Sequence, residues 1–142
     1  MKQYIKLIMA IMVLAFSATH VAQSKGKTPK STIYAFAYGT NFNDSTAYIS
    51  AISALPNIAL EPKTKFLQSR SSYSLQLKQY LEKKYGGHFM CAVVFNTKKE
   101  KLEKRYVKLR RSATNRKGNV RLIEIPITDF ALQPVKQTDA QQ

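Results

Sequence analysis

The sequence predicts an α+β fold: a two-layer α/β sandwich in the order ββαβαβ, with a four-stranded mixed sheet and two helices on one face. Three observations predict it. Residues 32–39 alternate as a strand does, residues 88–95 form one short apolar run, and two stretches, 71–85 and 98–112, carry apolar residues at helical spacing. The chain has 142 residues and a single cysteine. It is long enough for one hydrophobic core and has no internal disulfide to support it.

Thr32 to Gly39 reads as the first strand, with Tyr34, Phe36 and Tyr38 on one face and Ile33, Ala35 and Ala37 on the other. Both faces are apolar, which suits an interior strand. Thr40 to Ser45 is a polar turn in which Asp44 makes an Asx-type bond. Thr46 to Ser53 reads as a second strand, and Ser50 and Ser53 mark it as an edge. Leu55 to Ser69 holds Pro56 and Pro62, so it reads as an irregular connection with Phe66 and Leu67 buried.

Ser71 or Ser72 opens the first helix, which runs to Tyr85. Tyr73, Leu77, Tyr80 and Leu81 form its apolar side; Lys83 and Lys84 sit in its last turn, where cations suit the dipole. Gly86 and Gly87 end it. His88 to Phe95 reads as a central buried strand. Thr97 and Glu100 have capping-box spacing and open the second helix, whose stripe is Leu102, Tyr106, Leu109 and Ala113. Val120 to Ile125 is the last strand, closed by Pro126 at a sheet edge. The expected sheet order is 2-1-3-4, with the first strand antiparallel between the second and third. The last two strands are expected to form a right-handed parallel crossover.

Residues 1–24 read as a cleavable export signal. Lys2 and Lys6 precede an apolar run from Leu7 to Phe16, and small and polar residues follow to Ser24. The run is short of the roughly 20 residues that span a bilayer. Cleavage is expected after Ser24 or Ala22. Residues 25–31 read as a flexible leader, 32–135 as a single domain without a transmembrane segment, and 136–142 as a disordered tail. The expected location is periplasmic or secreted.

The chain carries 23 Lys and Arg against 8 Asp and Glu. The excess concentrates between Thr97 and Arg121, where eleven cations face only Glu100 and Glu103. Lys101, Lys104, Arg105, Lys108 and Arg111 fall on the far side of the second helix, and Arg116, Lys117 and Arg121 continue the run. Cations crowded this way favour a polyanion: envelope polysaccharide, lipid head groups or nucleic acid. Another envelope protein is the remaining partner class.

The chemistry-bearing residues are sparse. A zinc site needs three or four N or S ligands, and beyond the signal only His88 and Cys91 remain. Cys91 shares its face with Phe89, Val93 and Phe95 and reads as a small buried hydrophobe. Ser69, Ser71, Ser72 and Ser74 read as capping residues. No glycine-rich phosphate loop is present. The residues thus suggest no catalytic group, metal or cofactor.

Two resemblances bear on function. Ile33-Tyr34 and Tyr48-Ile49, with Arg70 at the next helix, resemble the paired motif of GIY-YIG nucleases; this implies a metal-dependent phosphodiesterase using the hairpin tyrosines. Thr32 and Ser50 stand where that motif has glycines, and Glu82, Glu100, Glu103 and Glu124 are the acidic candidates for its metal ligand. The hairpin Tyr34-Ala35-Phe36-Ala37 with Phe42 to Thr46, the connection Lys63 to Leu67, Tyr73 to Leu81 and the basic second helix together resemble small exported proteins of Bacteroidetes-type bacteria. That resemblance implies a single small domain in the cell envelope and no activity. The expected function is therefore that of an exported, non-enzymatic binding protein.

Overall fold

The computed structural model describes residues 29–41, 43–115 and 120–136. The expected export signal, most of the leader, and the tail beyond residue 136 lie outside them. The chain runs β1 (Lys30–Asn41), β2 (Thr46–Ser50), β3 (Ser53–Ala59), α1 (Arg70–Tyr85), β4 (Phe89–Asn96), α2 (Lys99–Thr114) and β5 (Arg121–Ile125). It is an α+β fold with a mixed five-stranded sheet and two helices.

β1 organises the sheet. One of its edges pairs antiparallel with β4, from Tyr34↔Asn96 to Asn41↔Phe89. The other pairs antiparallel with β2 over Tyr38–Thr40 and with β3 over Lys30–Ala35. β2 and β3 thus lie end to end, broken at Ala51 and Ile52. The expected irregular connection therefore contains a fifth strand. Pro56 is accommodated because the register slips between Ile33↔Leu55 and Ser31↔Ile58, with Asn57 at φ 57°. A bulge is where a strand tolerates a missing N–H.

The strand order also differs from expectation. β5 pairs parallel with β2, not with β4, so it lies at the far edge of the sheet. The 16-residue α2 makes this reachable. It is about 24 Å long, against roughly 14 Å to step across three strand spacings. Two strand assignments reverse as a result. β2, expected at an edge, is interior, and β4, expected at the centre, pairs only with β1 among the described strands. Pro126 does follow an edge strand.

The helices do not share one face. Ile33, Ala35 and Ala37 pack with Tyr73, Leu77 and Leu81 of α1. Phe36, flanked by Tyr34 and Tyr38, packs with Ile49 and with Leu102, Tyr106 and Leu109 of α2. Successive side chains of a strand point to opposite faces, so α1 covers one side and α2 the other. The physical reason is β1 itself: with both helices on one face, its other apolar row would meet water. Phe36 and Tyr106 meet edge to face at 5.0 Å. Gly39 lies beneath α1, where an added Cβ would stand 2.9 Å from Leu81 Cδ1.

Buried serines repair the break between β2 and β3. Ser50 Oγ accepts the Ala37 N–H at 2.9 Å and donates to the Ala51 carbonyl at 3.1 Å. Ser53 Oγ accepts the Leu132 N–H at 3.1 Å. Both residues are buried, so the polarity that suggested an edge serves the interior. The segment after β5 then straps α1. Leu132 is buried, Gln76 and Gln133 exchange two hydrogen bonds, and Tyr73 Oη accepts the Val135 N–H.

Ser50→Ala is expected to lower unfolding free energy by about 1–3 kcal/mol, because it strands a buried N–H; the exposed Ser45→Ala should stay near zero in the same urea titration. Leu132→Ala should cost about 2–4 kcal/mol through the cavity it leaves. Equal midpoints for Leu132→Ala and the parent chain would show that the strap is not docked.

Candidate functional site

The basic helix starts one residue away from the expected box. Its N-cap is Lys98, in extended conformation and without a side-chain cap bond, so Thr97 and Glu100 are out of capping register. Asn96 Oδ1 instead accepts the Lys98 N–H at 2.9 Å and turns the chain off β4. α1 likewise has Ser69 as N-cap with no side-chain bond, and Ser74 Oγ donates to the Arg70 carbonyl. At the hairpin, Asp44 Oδ1 accepts the Thr46 N–H at 2.9 Å, as an Asx turn requires.

Leu102 and Ala113 of α2 are buried, and Tyr106 and Leu109 partly so. With roughly 100° of rotation per residue, Lys101, Arg105 and Lys108 fall on one flank, which Lys104 and Arg111 continue outward. All five are exposed. The opposite flank is neutralised: Lys99 pairs with Glu103 at 3.7 Å, and Arg110 pairs with Glu124 of β5 while lying over the Tyr106 ring. Burial, then Glu124, raises the Tyr106 phenol pKa, and Arg110 opposes the shift. α2 therefore presents its compensated side toward β5 and its uncompensated side toward the β4 edge.

The other three cations do not all join this ridge. Arg116 and Lys117 lie outside the described residues. Arg121 is exposed on β5, but it alternates with Leu122 of the α2-side cluster and keeps step with Ile123 and Ile125 of the α1-side cluster. It belongs to the opposite face and the far edge of the sheet. There it is the one group that lowers the pKa of Tyr48, which burial, Asp44 and Tyr85 raise.

Sequence reasoning missed the surface along the outer edge of β4. A groove of about 840 Å³ runs between β4 and α1, lined by Phe66, Arg70, Leu75, Lys78 and Cys91 through Val93. It continues past Phe66 and Arg70 into a second, of about 440 Å³, where Lys65 and Arg105 face Phe95 to Thr97. Phe66, expected to be buried, is exposed and has the Arg70 guanidinium 5.4 Å above its ring. No local signal in the sequence joins Lys65, Arg70 and Arg105, which come from three separate segments.

The nuclease constellation is not assembled. Tyr34 packs on the α2 side and Tyr48 on the α1 side, so the sheet separates the two rings. Tyr48 packs against Tyr85 and Phe89, as a core ring does. Among the described residues, no group of three or more His, Cys, Asp or Glu is placed to share a metal ion. His88 is exposed just before β4. Among the described residues no helix is long and apolar enough to cross a membrane. No protein-family model, curated protein or solved structure matches this chain.

Cys91 is half-buried at the wall of the groove, and burial pushes its thiol pKa up to about 11. At pH 8 its alkylation by iodoacetamide should run about a hundredfold slower than that of the urea-unfolded chain, because only the thiolate reacts. The rate should climb as pH approaches 11. Equal folded and unfolded rates at pH 8 would contradict the packing described here.

Proposed function

We propose that this chain is a small exported, non-enzymatic protein of the bacterial envelope that binds a polyanion through the exposed flank of α2. The observation that carries the reading is the asymmetry of that helix. Glu103 and Glu124 occupy its other flank, in the pairs Lys99–Glu103 and Arg110–Glu124, and Glu100, in its first turn, forms no salt bridge with the row among the described residues. Lys101, Lys104, Arg105, Lys108 and Arg111 are left exposed together. A cation already paired gains little from a ligand; an unpaired row releases its counterions when a polyanion arrives, which makes binding steeply salt-dependent. Arg105 and Arg111 add planar forks that match carboxylate, sulfate or phosphate. Envelope polysaccharide and lipid head groups supply such anions where an exported protein meets them. Export itself is argued from the charged and apolar order of residues 1–24.

Two triple reversals with the same change in net charge test the patch. Lys101→Glu, Arg105→Glu and Lys108→Glu together should abolish most heparin retention and flatten its salt dependence. Lys63→Glu, Lys83→Glu and Arg121→Glu, spread over other surfaces, should lower retention only modestly. Equal losses would mean that net charge, not the helix flank, governs binding. Fractionation of cells expressing the full gene tests export: recovery of unprocessed chain in the cytoplasm alone would remove the envelope assignment.

A further inference from the structure

We propose that the outer edge of β4 is a second binding site, adjoining the basic ridge at Arg105, which accepts an acidic peptide in extended conformation as an added strand. The backbone fixes the geometry. Ala37 donates its N–H to Ser50 on the β2 side of β1. Alternation therefore turns the polar groups of Tyr34, Phe36, Tyr38 and Thr40 toward β4, against Asn96, Val94, Ala92 and Met90. The residues between them, Cys91, Val93 and Phe95, direct their N–H and C=O groups outward. Among the described strands none pairs with this edge.

Exposed strand edges are ordinarily blunted by proline or charge. β4 reads FMCAVVFN and has neither. Its edge is recessed instead, in the groove between α1, the Phe66 loop and the start of α2. An incoming strand would alternate its side chains between the two walls. One set meets Phe66 and Leu75, which are exposed apolar groups. The other meets Lys65 and Arg105, with Arg70 between the two halves.

The charge of the walls selects the occupant. Lys65, Arg70, Lys78 and Arg105 line the groove against the single carboxylate Glu61. Lys78 is partly offset by Glu82 at 3.8 Å. A second copy of this chain pairing edge to edge would bring the same cations together and repel. A peptide of alternating apolar and acidic residues satisfies the backbone, the apolar wall and the cations at once.

The probe is the eight-residue peptide (Val-Glu)4, capped at both ends, titrated into the full-length gene product as processed. Amide exchange is read by NMR. Without peptide, the Cys91, Val93 and Phe95 amides should exchange quickly, while Met90, Ala92 and Val94 are protected by β1. Saturating peptide should protect all six. Two controls carry N-methyl groups on every Val or on every Glu. Since alternate residues face alternate edges, one control should bind about tenfold more weakly or worse while the other keeps most of the affinity. Arg70→Glu should weaken the unmodified peptide about tenfold. The double variant Lys104→Glu with Arg111→Glu lies on the ridge outside the groove and should leave the peptide unaffected, so loss of the ridge reading and loss of this one are separable. Equal binding of both methylated peptides would reduce the interaction to charge alone and overturn the proposal. So would absence of binding up to about 1 mM, or fast-exchange amides that are already protected without peptide, which would mean that the chain's own residues or a second copy cover the edge.

Discussion

The rest of the structure depends on β1 being buried on both faces and paired along both edges. A strand apolar on alternate positions needs one cover; β1 is apolar on every position from Ile33 to Ala37 and needs two. α1 supplies one with Tyr73, Leu77 and Leu81, and α2 the other with Leu102 and Tyr106. Each helix is thereby fixed to a different side of the same backbone, and the two clusters communicate through β1 and its neighbours. Gly39 lets α1 settle close to that backbone.

Double pairing has a cost along the β2–β3 edge. No single straight partner matches the length of β1, so two short strands meet at Ala51 and Ile52, where the ladder is interrupted. A gap in a buried ladder leaves amides that cannot reach water, and each such group is expensive. Two hydroxyls resolve this. Ser50 satisfies β1 across the break, and Ser53 takes an amide from the C-terminal segment. That segment is in turn held along α1 by the Gln76–Gln133 exchange, the Tyr80–Phe130 contact and the Lys84–Asp129 pair. Lys84 also donates to Tyr80 Oη, and these two bonds hold its ammonium pKa above the ordinary lysine range.

The distribution of acids decides where the positive charge is available. With few carboxylates in the chain, every pairing leaves another surface bare. Glu124 on β5 and Glu103 within α2 draw Arg110 and Lys99 to one flank of the helix. Among the described residues no salt bridge forms on the opposite flank, where Glu100 in the first turn stands near Lys104 without pairing, and that flank borders the unpaired side of β4. The basic row and the open strand edge are thus neighbours, joined through Arg105, although one acts through charge and the other through backbone hydrogen bonds.

The sequence by itself determined the local elements. Hydrophobic period and glycine punctuation are properties of neighbouring residues, so β1, β4, both helices with their stripes, and the Asx turn at Asp44 were legible, as was the exposure of the five α2 cations. Only the tertiary structure decided what those elements pair with. Nothing in residues 121–125 says that they lie beside β2 rather than β4. The polarity of Ser50 reads equally as an edge facing water or as a hydroxyl completing a buried ladder. A slip in register lets Pro56 sit inside a strand, and that slip exists only once β1 is alongside. The same holds for the functional surfaces. Arg121 follows the basic helix in sequence and leaves it in space, because strand alternation and sheet order send it to the other face. Arg105 is distant in sequence from Lys65 and Arg70, and the three meet at one strand edge. Pairing and charge proximity are set by contacts between segments far apart along the chain, where local periodicity carries no information.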